Sequence, residues 1–214
     1  MPSEHALRAE ICEIARHLYE RGHNAPGDGN ISARISERYL LATPTACHKG
    51  RLRPEQIVKL ARDGRVVDPS QRASTEIRMH LAIYDLRPDV GAIIHAHSPS
   101  TVALSVAGVS LERPVVPEAI LALGAIPTVP YASPTTEDVP AIVSRYAREV
   151  DAFVLERHGP VALGKTLDEA LSRLEIVEHT ARITVAARAA GGATPLAEDE
   201  AARLRAIGRE LSRR

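Results

Sequence analysis

The segment Gly91-Ala92-Ile93-Ile94-His95-Ala96-His97-Ser98-Pro99 couples an apolar run to a His-x-His pair. Small and β-branched residues closed by Ser-Pro read as a buried strand ending in a turn. Side chains alternate along a strand, so His95 and His97 share one face at about 7 Å between Cα atoms, while Ala92, Ile94 and Ala96 take the other. Two imidazoles at that spacing can converge on one metal ion. A third candidate, His158, lies where two short apolar runs, Ala152–Leu155 and Val161–Leu163, flank a His-Gly-Pro corner. That pattern puts it at the tip or shoulder of a turn between adjacent strands. Three neutral imidazoles leave the fourth position of a tetrahedral divalent ion open, as catalytic zinc does and structural zinc does not. Simpler readings stand beside this one: hydrogen-bonded core histidines at 95 and 97, and a turn residue at 158.

A carboxylate is available in Ser74-Thr75-Glu76-Ile77-Arg78-Met79-His80-Leu81-Ala82-Ile83-Tyr84, where Ile77, Leu81 and Tyr84 have helical spacing. Ser74 or Thr75 is the expected N-cap, and a helix start with hydroxyls suits a phosphate. Glu76 then falls in the first turn, where compensation of the helix dipole also explains it. His80, one turn on, reads either as support for the site or as helix surface. The loop Ala25-Pro26-Gly27-Asp28-Gly29-Asn30 can turn its backbone N–H groups to an anion or simply form a tight turn. Thr43-Pro44-Thr45-Ala46-Cys47-His48-Lys49-Gly50-Arg51 is rich in hydroxyls and bases. It suits an anionic substrate, although Lys49 and Arg51 equally suit a solvated rim.

These residues need a scaffold, and the rest of the chain can supply it. At 214 residues and 44% hydrophobic content the chain can bury a sizeable core. Lys plus Arg equals Asp plus Glu at 27 each, so no global field favours nucleic acid or an anionic membrane. The absence of Trp and the single Phe argue against a stacking platform for single strands. The N-terminus lacks the apolar core of a signal peptide, and no run reaches the roughly 18 apolar residues of a membrane span, so a cytoplasmic location is expected. Cys12 and Cys47 are too few for a disulfide framework.

Leu7, Ile11, Ile14 and Leu18 predict an amphipathic helix from Ser3 to Arg21, ending at Gly22. Short strands follow at Asn30 and at Tyr39–Ala42, and a hairpin is expected where Ile57–Leu60 and Arg65–Val67 flank Asp63-Gly64. A helix is expected from Ser98 to Val109, a strand near Ile126–Pro130, and a helix from Thr135 or Thr136 to about Glu149. Thr166-Leu167-Asp168-Glu169 reads as a capping box opening a long helix that ends at Gly191-Gly192, with a charged tail helix from Glu198. No repeat or linker interrupts this, so residues 1–214 read as one α/β domain with helices over a largely antiparallel sheet.

Taken together, Gly29-Asn30-Ile31-Ser32, Thr43-Pro44-Thr45, Ser74-Thr75-Glu76, His95-Ala96-His97-Ser98 and His158-Gly159 resemble the class II aldolase/adducin family, over roughly residues 5 to 190. The resemblance implies a three-layer α/β/α sandwich and a homotetramer with active sites at subunit interfaces. It implies that His95, His97 and His158 bind zinc or another divalent ion such as manganese or cobalt. It implies that Glu76 is the acid/base, and that Asn30, Thr45, Ala46, Ser74 and Thr75 surround a substrate phosphate. Ala46 departs from the family's usual Gly. No tyrosine lies between Tyr84 and Tyr131 or after Tyr146, where related aldolases carry two; Glu118 either stands in for one or starts a helix.

The function these features predict is metal-dependent cleavage of a small phosphorylated ketose, such as L-fuculose 1-phosphate, to dihydroxyacetone phosphate and an aldehyde. A metal with an open face would stabilise the enediolate left when the carbon–carbon bond breaks. The alternative on the same site is decarboxylation of a phosphorylated keto acid or a hydroxylated aromatic acid, with Lys49, Arg51 or Arg78 as carboxylate-recognising groups. A further alternative is a non-enzymatic, adducin-like interaction module, against which the three histidines and Glu76 speak.

Overall fold

The computed structural model describes residues 3–132 and 138–211. Its centre is a seven-stranded sheet in the order β3-β2-β1-β4-β7-β6-β5. The strands are β1 (Asn30–Arg34), β2 (Tyr39–Ala42), β3 (Val58–Ala61), β4 (Ala92–His95), β5 (Thr128–Val129), β6 (Ala152–Leu155) and β7 (Gly159–Gly164). All neighbours pair antiparallel except β5 with β6. The three-layer sandwich with a largely antiparallel sheet is therefore the observed architecture.

Strand alternation sorts the two apolar layers. Ile31, Ala33, Ala92 and Ile94 pack under α1 (Glu4–Glu20) and α6 (Leu167–Ala189), meeting Ile11, Leu18 and Leu174. Ile93, Phe153 and Leu163 face the other way, onto Met79 and Ile83 of α2 (Ile77–Leu86) and Val143 of α5 (Asp138–Ala147). Ile93 is fully buried, and truncating it to Ala removes packing worth about 2–5 kcal/mol. α3 (Pro99–Val106) lies on α6, and α4 (Pro117–Leu123) on the tail helix α7 (Glu198–Leu211).

Most expected boundaries hold within a residue or two. Ser3 caps α1 through its hydroxyl, and Gly22 follows at φ +74°. Thr166 accepts the Glu169 N–H, while Glu169 reaches back to Lys165 rather than to Thr166 itself. The Asp63-Gly64 hairpin is reduced to a turn with one bridge, Leu60 to Val66. Thr135 and Thr136, the expected start of α5, lie outside the described residues. Glu118 sits exposed in the first turn of α4, as a helix start. Among the described residues no helix is long and apolar enough to cross a membrane.

Candidate active site

β4 and the turn from β6 to β7 bring the three histidines together. His95 ends β4, fully buried, directly opposite Asn30 on β1 and Val161 on β7. His97 lies past the strand, in irregular backbone, so the shared strand face expected from sequence is not formed. Ala96 N–H donates to the Pro160 carbonyl at 3.2 Å, and His97 N–H to the Asn24 side chain at 2.9 Å. His158 heads the β6–β7 connection between Arg157 at φ +60° and Gly159 at φ +148°. A Cβ on Gly159 would stand 2.1 Å from the Ala96 carbonyl oxygen, so only glycine lets the two loops close on each other. The His95 and His97 rings lie 5.0 Å apart, and the His158 ring is 4.6 Å and 4.5 Å from them.

Glu76 completes the cluster from a different position than the helical pattern suggested. α2 begins at Ile77, and Glu76 occupies its cap without bonding the helix backbone through its side chain. The Ser74 hydroxyl instead accepts the Glu76 N–H at 3.3 Å. This frees the carboxylate from dipole compensation. Its Oε2 accepts a hydrogen bond from Asn30 Nδ2 and lies 3.5 Å from His95 Nε2, and its Oε1 is 3.2 Å from His158 Nε2. The candidate ligand atoms of Glu76, His95, His97 and His158 all lie within 4.8 Å of one another.

The donor set fits a divalent cation. His95 Nδ1 donates to the Pro160 carbonyl at 2.9 Å, which leaves its lone pair on Nε2. His97 Nδ1 stands 3.4 Å from Asp28 Oδ2, with the same consequence. The Nε2 atoms of both are buried and have no hydrogen-bond partner. Buried lone pairs without a donor are costly, and a cation at their convergence satisfies them. Burial lowers the affinity of both rings for a proton, against the opposing pull of the nearby carboxylates, so they are neutral ligands at neutral pH. For Glu76, burial opposes ionisation but His95 and His158 outweigh it, holding its carboxyl well below the ordinary range.

The remaining candidates gather on two adjoining segments. The loop after β2 is zipped to the segment before α2 by a Pro44–Ala73 bridge, by Thr45 N–H to Arg72 O at 3.1 Å and by Ser74 N–H to Thr43 O at 3.2 Å. Thr43 thus stands opposite Ser74 and Thr45 opposite Arg72, an antiparallel register that brings the two segments side by side but runs Ala46 away from Thr75. Ala46 takes φ +49°, the left-handed conformation that glycine adopts more readily than alanine. Thr75, Glu76, Arg78, Met79, Pro130 and His158 line a narrow cavity of about 30 Å³, and its described lining includes no tyrosine. Lys49 turns inward, its ammonium donating to the Gly27 carbonyl at 3.3 Å. Asp28 and Asn24, both beside His97, were not singled out from sequence; the Gly-Asp-Gly-Asn loop marked the place but suggested an anion rather than an imidazole as its partner.

Comparison with known proteins agrees with this fold. Residues 9–185 match the model of the class II aldolase and adducin N-terminal domain. A 3-oxo-tetronate 4-phosphate decarboxylase from Cupriavidus necator is 37% identical over 86% of this chain and 85% of its own. An L-fuculose phosphate aldolase from Methanocaldococcus jannaschii is 31% identical over 83% of this chain and 95% of its own. The solved structure of YgbL from Escherichia coli is 33% identical and superposes with a TM-score of 0.87, covering 94% of this chain and 99% of that one. The chain belongs to the class II aldolase and adducin family.

Proposed function

We propose that this protein is a divalent-metal-dependent lyase that decarboxylates a small phosphorylated 3-oxo acid, the class to which 3-oxo-tetronate 4-phosphate belongs. The observation that carries it is the convergence of Glu76, His95, His97 and His158 within 4.8 Å. In such an acid the C1–C2 bond breaks, carbon dioxide leaves, the electron pair passes through C2 to the C3 oxygen, and C2 then takes up a proton. A divalent cation held by the three imidazoles supplies, when bound, a Lewis acid for the oxygen on which that charge collects. Glu76 moves the proton, relaying it from water to C2. Asn30, Thr45, Ala46, Ser74 and Thr75 are the proposed phosphate group, which fixes the bond that lies over the histidines.

Aldol cleavage of a phosphorylated ketose, the first expectation from sequence, is the second reading, favoured by the aldolase relative. It needs a further group to handle the proton of the cleaved hydroxyl, and the described lining of the cavity includes no tyrosine for that task. Decarboxylation makes no such demand. Zinc as the native ion, with manganese or cobalt as substitutes, belongs to the same proposal, as do a homotetramer with interfacial sites and a cytoplasmic location; family likeness supports them. The test supplies metal-replete protein with 3-oxo-tetronate 4-phosphate and, separately, with L-fuculose 1-phosphate. Carbon dioxide from the first supports the proposal. An aldehyde from the second without carbon dioxide from the first replaces it with aldol cleavage, and no stoichiometric metal in the protein points to an interaction module.

A further inference from the structure

Behind Glu76 lies a buried polar chain that the proposed reaction does not use. Asn30 and Ser32 share the face of β1 that looks onto α2, and each meets a residue one helical turn apart there, Asn30 with Glu76 and Ser32 with His80. Ser32 Oγ lies 2.7 Å from His80 Nδ1 and 2.9 Å from the Tyr84 hydroxyl. Ser32, His80 and Tyr84 are each at most 1% exposed.

Hydrogen counting gives this chain a direction. A hydroxyl has one hydrogen to donate. If Ser32 donated to Tyr84, the phenolic hydrogen would be left without the partner that Ser32 offers it. Tyr84 therefore donates to Ser32, and Ser32 donates to His80 Nδ1. The imidazole is neutral, since burial pushes its pKa down to about 4, so its hydrogen sits on Nε2.

That N–H has no partner, and among the buried unpartnered side-chain atoms of the described residues one oxygen matches it. The buried unpartnered side-chain atoms are Asn30 Oδ1 and ring nitrogens of His48, His80, His95 and His97. The His95 and His97 nitrogens are those that would hold the proposed cation, and His48 packs on Tyr19 elsewhere. The Asn30 amide has its Nδ2 on the Glu76 carboxylate, an orientation that the reversed amide would turn into repulsion, so Oδ1 points away and requires a donor.

We propose that His80 is a positioning residue for Glu76: its Nε2–H, through one buried water, holds the Asn30 amide, and that amide holds the Glu76 carboxylate. One water is the bridge this pair calls for, because both groups are polar, buried and without a direct hydrogen bond to each other. The chain Tyr84, Ser32, His80, water, Asn30, Glu76 then donates in one sense throughout. Its end is the carboxylate that faces the three histidines. The inference depends on Glu76 being the acid/base of the proposed function only for its kinetic consequence; the hydrogen-bond chain stands or falls separately.

Two measurements on the metal-loaded protein need no substrate. Nitrogen-15 spectra, with His80 assigned by the resonance lost in His80→Gln, are expected to place its hydrogen on Nε2, and Ser32→Ala is expected to give a mixture of tautomers. A high-resolution crystal structure is expected to show a water bonded to both His80 and Asn30. Hydrogen on Nδ1, or no water between the two, overturns the proposal. With active enzyme, His80→Leu is expected to lower kcat roughly tenfold with KM and metal content unchanged, and His80→Gln, which keeps an N–H donor, to recover most of it. Equal losses in both variants, or loss of metal with activity, would assign His80 a merely structural role. Absence of decarboxylation by the unmodified protein counts against the proposed function and leaves the spectra and the crystal structure to decide the chain.

Discussion

Glu76 Oε1 lies 3.2 Å from Nε2 of His158, although the two residues come from opposite halves of the chain and from different layers of the sandwich. Asn30 anchors the carboxylate's other oxygen, so Glu76 bridges a strand on one side and a turn on the other. A carboxylate held beside three imidazoles and not spent on capping its own helix is placed to move protons.

Glu76→Gln separates holding the ion from doing chemistry. The amide keeps the shape and loses the proton shuttle, so kcat is expected to fall by about a hundredfold or more while the protein still carries its metal. Steady-state rates alongside elemental analysis check this, and retained turnover would refute the assigned role.

Metal should stabilise the fold through the histidines. At about a hundred times its dissociation constant a bound ion adds about 2.7 kcal/mol to the unfolding free energy. Denaturation of chelator-treated protein with and without added zinc should show that increment, and His97→Ala or His158→Ala should abolish it.

Asp28 supports His97 from outside the cluster, with 40% of its side chain exposed. Asp28→Ala is expected to weaken metal affinity about tenfold through loss of ring orientation. Because the site is on the surface, apo-protein stability should change by no more than about 0.5 kcal/mol. Competition titration against a chelating dye measures the first, urea melts the second.

Ala46 holds φ +49°, where a Cβ is disfavoured. A loop residue replaced by glycine ordinarily destabilises through the unfolded chain. Here relief of the left-handed strain opposes that loss, and Ala46→Gly is expected to be neutral or stabilising by up to about 1 kcal/mol in urea denaturation. A clear destabilisation would sink the strain argument.

His80 links stability to pH. Burial lowers its pKa from the ordinary 6.5 to about 4, against the opposing charge of Glu76. Between those values the unfolded chain binds the proton and the folded one does not, so this contribution is complete above pH 6.5 and is lost as pH drops toward 4. Its full size is about 3 kcal/mol in order of magnitude. His80→Gln should flatten that part of the stability profile relative to the unmodified protein.

The sequence by itself determined the elements and the chemical inventory, because both depend on local pattern. Alternation around Ile93 and Ile94, the spacing from Leu7 to Leu18 and the turn residues at His158-Gly159 each act over a few residues. Tertiary structure alone decided how the inventory is used. His97 leaves the strand with its N–H taken by the side chain of Asn24, distant in sequence, one residue beyond the last bond of Ala96 to Pro160. Glu76 gives up the helix for the site because Asn30 and His158 offer its carboxylate partners that the helix end does not. Nor does local pattern tell a surface histidine from a buried one: His80 is drawn inside because β1 presents Ser32 at the height of the second turn of α2. Such choices depend on which strands lie side by side, and strand order is set by packing both faces of the sheet at once.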